Sequence, residues 1–299
     1  MTSALSDVAI RDTASPTAAY LRASGGVERA IAAGPETLGR IGSLETRLVR
    51  DGDELRAAQS IRFKVFYEEL GAHRTDVHAL DDADSDRFDD ICDHLIVLDR
   101  ELPGNDEAQI VGTYRLLRQE VAERSGGFYT ADEFEIGALI ARHPGKNFLE
   151  LGRSCVLPQY RSKRTIELLW QGIWAYCLRH RIDVMTGCAS FHGTVPAAHA
   201  LALTFLHNRF AACGDWYARA LPHRRVEMDL MPAEALDERA ALSTVPPLIK
   251  GYLRLGAKIG DGAVIDAEFG TTDVLVILPV STISPRYVNY YGADASRFA

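Results

Sequence analysis

Glu150 and Arg153 stand three residues apart in "ELGRSCVLPQYRSKRTIELLW", the run from Glu150 to Trp170. A carboxylate in such a place can act as a general base, taking a proton from an attacking nucleophile directly or through water. In a regular strand, positions three apart face oppositely. A bulge at Gly152 would turn both side chains to one face and free a backbone N–H to polarise a carbonyl oxygen. A structural Glu–Arg pair is the plainer use of the same residues.

The same run then turns at Pro158 and enters a helix with an apolar stripe: Ile166, Leu169, Trp170, Ile173 and Cys177. A strand–turn–helix unit presents helix N-terminal amides to an anion, and glycines normally let the backbone approach a pyrophosphate. Arg161, Ser162, Lys163, Arg164 and Thr165 occupy this turn instead. They make either an anion grip with added cations or a basic, solvated turn. Upstream, "DDADSDRFDDICD" alternates Asp82, Asp84 and Asp86 as a calcium loop does, but Arg87 stands at the sixth position, where that loop needs glycine. Calcium is therefore not expected, nor any other metal. Cys155 has no histidine near it in sequence and reads as core packing. His192, in "SFHGT", reads as a loop residue.

These groups need a scaffold, and the chain supplies an alternating one. "SLETRLVR" reads as a strand, and Leu55, Ala58, Ile61, Val65 and Phe66 recur at helical spacing. "HLIVLD" and "QIVGTYRLLR" read as two strands around a turn-rich connection, followed by a short helix near Phe134 to Ala141. "NFLELGRSCVL", the striped helix, and the strand "DVMTGCAS" come next. An insertion then runs from Phe191 to Val245, and "PPLIKGYLRLGAKI" is a helix closing at Gly256, before the final strand "TTDVLVIL". The order predicts an α/β protein with a mixed central sheet and helices on both faces. Residues 1–40 read as a mobile tail, 41–299 as one domain, and 191–245 as a helical insertion within it.

The bulk properties narrow the function. A net charge of −8 over 299 residues speaks against a nucleic-acid binder. No apolar stretch approaches the roughly 20 residues of a membrane span, and the first residues lack a secretory pattern. Five scattered cysteines without a Cys-x-x-Cys pair fit reduced thiols and a cytoplasmic location.

The strand–"YRSKRTI"–helix unit with "YLRLGA" downstream resembles the GNAT acyltransferases. More closely, "IRFKVFYEELGA", "FDDICDHLIVLD", "IVGTYRLLR", the block from Glu150 to Tyr176, "PPLIKGYLRLGA" and "RYVNYYGADASRFA" resemble the bacterial ornithine–acyl-carrier-protein N-acyltransferases. The likeness covers roughly residues 40–299. It implies transfer of a 3-hydroxyacyl group from acyl carrier protein to the α-amine of L-ornithine, giving lyso-ornithine lipid, without a covalent enzyme intermediate. Glu150 and Arg153 would then serve base assistance and positioning. Arg164 and Ile166 stand where the acetyl-CoA-binding members of the fold carry glycines. A phosphopantetheine donor has one phosphate and no adenosine, so the glycine cradle is not required, and no cofactor is bound beyond the one the carrier brings. Arg161, Ser162, Lys163, Arg164 and Thr165 would grip that phosphate and the acidic carrier. Asp86 and Asp89, with Arg62 or Arg115, would complement ornithine's two ammonium groups and its carboxylate, unless the acidic loop is simply solvated.

The Glu-x-x-Arg spacing, Arg62, Phe66, "DRFD" and Arg115 are also similar to acyl-homoserine-lactone synthases, an alternative activity. A non-catalytic carrier- or membrane-binding module is a third reading. In the insertion, Leu201, Phe205 and Leu206 precede Arg209, Arg219, Arg224 and Arg225. That pattern suits either a helical pair packed on its own sheet or peripheral attachment to an anionic membrane surface.

Overall fold

The computed structural model describes residues 37–73 and 82–284. The elements that bear on function are β1 (Thr37–Ile41), β2 (Leu44–Leu48), α1 (Gly52–Phe63), β3 (Asp93–Asp99), β4 (Ile110–Arg118) and β5 (Phe148–Val156). After these come α2 (Lys163–Arg179), β6 (Val184–His192), α3 (Ala200–Phe210), β7 (Arg225–Val226), α4 (Glu238–Thr244), α5 (Pro247–Leu255), β8 (Lys258–Asp266) and β9 (Thr271–Pro279). Nine strands form one sheet in the order β1-β2-β3-β4-β5-β6-β9-β8-β7. All neighbours are antiparallel except β5 and β6.

Alternation along β3 assigns the two faces. Leu95 and Val97 pack with α2, through Leu168, Leu169 and Ile173, while Ile96 and Leu98 pack with Ala58, Ile61 and Val65 of the first helix and its extension. Helices therefore cover both faces, as the strand–helix order predicts. Asp51 caps α1 by accepting from the amides of Asp53 and Glu54. The helix then widens into a π-helical stretch from Lys64 to Glu69. On the α2 side, α5 ends at Gly256 with φ +98°, the left-handed C-cap expected from "RLGA".

Several sequence expectations need correction. The tail drawn through residue 40 is too long, because Thr37–Ile41 pairs with β2; residues 1–36 lie outside the described residues, as does "RYVNYYGADASRFA". β1, β7 and β8 were not foreseen. β8 carries Gly260 and Gly262, which interrupt its alternation and coincide with a register shift against β9. Ile166 does not belong to the core stripe: at 49% exposure it projects from the first turn of α2. The insertion begins later than Phe191, since Phe191 and His192 finish β6, and it carries the strand β7 as well as helices. Its apolar face is core, with Phe205 and Leu206 buried and Leu201 packed against the same cluster, so that face is not available to a membrane. Its arginines are engaged as well: Arg209 with Glu238, Arg219 with Glu135, Arg224 with Glu133 and Arg225 with Asp261.

The decisive feature is where β5 and β6 part. They pair only over Phe148–Glu150 against Val184–Thr186, yet both strands run on. Gly187 is the first β6 residue past the paired stretch. It has φ +153°, and a Cβ there would lie 2.3 Å from the Leu151 carbonyl oxygen. Gly187→Ala should therefore cost roughly 1–3 kcal/mol, the usual penalty of overpacking. Urea denaturation of wild type and variant measures it, and equal midpoints would contradict this account.

Candidate active site

Beyond Glu150 the parted strands wall a cavity of about 270 Å³. β5 contributes Glu150 through Ser154, β6 contributes Cys188, Ser190 and His192, and β9 contributes Thr271 and Asp273. Between Gly152 and Cys155, β5 holds one residue more than β4 opposite it. That is the expected bulge, displaced one step: Gly152 still pairs with Arg115, and Arg153 takes φ +49°. A non-glycine residue in that region costs about 1–3 kcal/mol and marks a functional constraint. The result is that Glu150 and Arg153 both face the cavity.

They do not pair with each other. Glu150 is 5% exposed and accepts from the backbone N–H of Tyr129 (2.9 Å), the backbone N–H of Thr130 (2.8 Å) and the Thr130 hydroxyl. Burial raises its pKa above the usual carboxylate value, against the opposing pull of these hydrogen bonds and of Arg115. Arg153 instead contacts Asp84 (3.2 Å) and Asp86 (3.1 Å), with its guanidinium 4.3 Å from the Phe269 ring centre and 5.2 Å from that of Tyr129. Tyr129 thus touches both residues, its amide on Glu150 and its ring under Arg153.

Arg62, Asp86, Asp89 and Arg115 are brought together as expected, but they satisfy one another. Fully buried Arg62 donates to Asp84 (2.7 Å) and, through two nitrogens, to Asp89 (2.7 and 2.9 Å). Arg115 reaches Asp86 at 2.6 Å and Asp89 at 3.5 Å. Burial alone would raise the pKa of Asp89, yet the hydrogen bonds and charge of Arg62, with Arg115, bring it well below the ordinary range. Of these four residues only Arg115 lines the cavity. The aspartates are already held by guanidinium groups, so Asp84 and Asp86 do not offer the open oxygens of a calcium loop.

The basic turn lies just past β5. Ser162 caps α2 by accepting from the Thr165 amide at 3.3 Å. Arg161 forms a two-pronged bond to Glu69 (both 2.6 Å), Lys163 reaches Glu167 at 3.3 Å, and Arg164 is exposed. The turn is anchored to the end of the π-helical stretch, with Ile166 beside it. Burial pushes the Cys155 thiol up to about 12, consistent with packing and not with a nucleophile. His192 is a strand residue paired with Thr271, not a loop residue.

Sequence reasoning missed Tyr129, Thr130, Asp266 and Asp273, all of which line the cavity. The available signal was an acid inside an apolar strand, "TTDVLVIL", which needs either a partner or a ligand.

Comparison with known proteins bears on what this cavity serves. Residues 61–171 match the family model described as an acetyltransferase (GNAT) domain. A protein of Brucella abortus (strain 2308) named L-ornithine N(alpha)-acyltransferase is 62% identical over 261 residues, 87% of this chain and 93% of that protein. One of the same name from Rhizobium meliloti (strain 1021) is 58% identical over 274 residues, 91% of this chain and 93% of its own. Among solved structures, an N-acyl amino acid synthase from uncultured soil microbes aligns with 80% of this chain and 91% of its own at 13% identity and TM-score 0.44.

Removing one partner of a buried ion pair leaves the others uncompensated, at about 3–5 kcal/mol. Arg62→Met should therefore lose stability of that order. Because Asp89 titrates below its unfolded value, its contribution is present above about pH 4 and fades as the pH falls further. Wild type should lose stability on acidification through that range, and the variant should lose less. Denaturation midpoints at pH 7 and pH 3 read both effects, and parallel curves would remove the network from the stability of the site.

Proposed function

The chain belongs to the family of L-ornithine N(alpha)-acyltransferases, and on that premise we propose that it moves a 3-hydroxyacyl group from acyl carrier protein to the α-amine of L-ornithine, giving lyso-ornithine lipid. The observation that carries this reading is the gap between β5 and β6, with Glu150 at its closed end and the basic turn at the outer end of β5. A phosphopantetheine arm is long and narrow, and its single phosphate would meet Arg161, Ser162, Lys163, Arg164 and Thr165. Acidic carrier protein suits the cations of this turn and, at its apolar spots, the exposed Ile166. The donor brings its own prosthetic group, so no further cofactor is invoked.

In this reading the amine nitrogen attacks the thioester carbonyl carbon, and negative charge builds on the carbonyl oxygen. Backbone N–H groups of β5 near the bulge are the donors suited to that charge. Collapse of the tetrahedral adduct breaks the carbon–sulfur bond and expels the pantetheine thiolate. The proton given up by the amine ends on that sulfur. Glu150 is the base: three donors fill three of its roughly four lone-pair sites, which leaves one for the ammonium or a bridging water. Its raised pKa suits proton acceptance near neutrality. Arg153 and Arg115 face the cavity and, with part of each guanidinium engaged by Asp84, Asp86 and Asp89, turn N–H donors toward the amino acid's carboxylate, while Arg62 fixes the aspartates that hold them. The product is a lipid-like amphiphile whose transfer to water is unfavourable by about 0.8 kcal/mol per CH₂. Release at the cytoplasmic face of a membrane follows from that cost, without any role for the insertion's apolar face.

Glu150→Gln should fold and lose roughly 10²–10⁴ in kcat, the range for a lost general base. Mass spectrometry of acyl-ornithine formed from carrier-bound thioester reads it, and near-wild-type turnover would dismiss Glu150 as the base. Arg164→Glu should raise the KM for acyl carrier protein by roughly twofold to fivefold, as expected for one exposed charge. Added salt should shrink the difference. An acyl-pantetheine donor lacking the protein should show no such change; an equal penalty with both donors would mean that Arg164 does not meet the carrier.

A further inference from the structure

The side of the cavity formed by β6, β8 and β9 carries more acid than the transfer step uses. Register pairs Ser190 of β6 with Asp273 of β9 and His192 with Thr271, and Asp266 of β8 also pairs with Thr271. Asp273 and Thr271 are two apart on one strand and so share a face, and both line the cavity with Asp266. Asp266 is occupied, accepting from the amides of Glu268 and Phe269. Asp273 is only loosely held: it is 5% exposed, the hydroxyls of Thr271 and Ser190 lie close enough to pull on its charge, yet its Oδ1 and the Thr271 hydroxyl make no well-formed hydrogen bond. An unpaired acceptor this deeply buried is costly unless something binds to it.

Behind Asp273 lie Glu133 and Cys188, with one ligand atom from each of the three residues lying within 4.8 Å of the others. The arrangement indicates the charge of the missing partner. Glu133 accepts from the Cys188 thiol at 3.1 Å and forms an ion pair with Arg224, whose guanidinium lies 3.3 Å away. One of the two carboxylates is thus already matched by a cation, and the thiol is protonated, held so by burial and by Glu133. What remains without a matching cation is the Asp273 carboxylate, which suits the single charge of an ammonium group. Burial and the charge of Glu133 push the Asp273 carboxyl up to about 7, so a bound cation would have to draw it into its ionised form.

We infer that Asp273, assisted by the Thr271 hydroxyl, receives the side-chain ammonium of the amino-acid substrate and so selects a diamino acid over one ending in a methyl group. The inference rests on the acyl-transfer reading for the identity of that substrate. A short polar path joins the two ends of the site: the Thr130 hydroxyl bonds Glu150 and lies 3.9 Å from the Cys188 sulfur, itself in the group with Asp273. Ornithine spans such a path naturally, with its α-amine at the Glu150 end and three methylenes leading to the terminal amine. An apolar amino acid of the same length would leave Asp273 unpaired, and sites built for a polar group reject analogues that lack it.

The test compares L-ornithine with L-norvaline, which has the same carbon chain but no terminal amine, in wild type, Asp273→Asn and Thr271→Val. Wild type should prefer ornithine in kcat/KM, and Asp273→Asn should reduce the ornithine-to-norvaline ratio at least tenfold. Thr271→Val should reduce it less. Asp273→Asn is isosteric and replaces a carboxyl that burial already holds partly protonated near neutral pH, so its melting temperature should lie close to that of wild type. Calorimetric titration of L-ornithine alone into each protein supplies a readout independent of turnover, and Asp273→Asn should bind at least tenfold more weakly. An unchanged ratio together with unchanged binding overturns the inference and leaves the transfer reading standing. Asp273-dependent ornithine binding with no acylation from any thioester donor does the reverse. One equivalent of zinc in the purified wild type, lost in Asp273→Asn, would also overturn it.

Discussion

Two parallel strands that hydrogen-bond for three residues and then separate create the whole site. While β5 and β6 are paired their facing edges are satisfied; once apart, each presents backbone donors and acceptors to whatever fills the gap. Gly187 permits the close approach at the first step past the last shared pair, because its position brings it against the Leu151 carbonyl. The bulge at Arg153 continues the same event on the other strand. Past the last shared pair, β5 gains a residue against β4 and re-aims its side chains toward the opening.

An opening in a sheet needs walls that do not collapse into it, and here these are ionic. Three guanidinium groups, of Arg62, Arg115 and Arg153, face the carboxylates of Asp84, Asp86 and Asp89 in near-neutral balance. The network adds a tie from α1 to the loop before β3, alongside the apolar packing that already joins α1 to β3, β4 and β5. Buried ion pairs of this kind add little net stability over an apolar filling. Their value here is directional: each arginine has one place to be, and two of them end at the cavity wall.

How much of this was legible depends on how local each signal was. The pair Glu150 and Arg153, and the bulge that gathers them, could be read because a glycine inside a strand lies between them. The α5 C-cap at Gly256 was equally local. Ile166 was misplaced because helical periodicity says which residues share a stripe, not where the surface beneath the helix stops. β8 escaped notice because Gly260 and Gly262 break its alternation. The acid wall was the least accessible. Asp273 meets Ser190 through a register between strands some eighty residues apart, and Glu133 reaches it from a connection with no regular pattern. The resemblance named a cationic acceptor but pointed to Asp86 and Asp89, whose charges are already matched inside the fold.

Arg224 belongs to the insertion between β6 and α5, yet its guanidinium donates to the carbonyls of Asp132 and Ile265 and sits against Glu133. The insertion is therefore not a detachable module. Excising it would strip a cation from behind the cavity wall and leave a second buried acid unmatched, while also removing Phe205 and Leu206 from the core. A pared-down version that keeps only the alternating strands and helices would lose a wall, not an ornament. Variation within this stretch would then be coupled, through one arginine, to the chemistry that the cavity can accept.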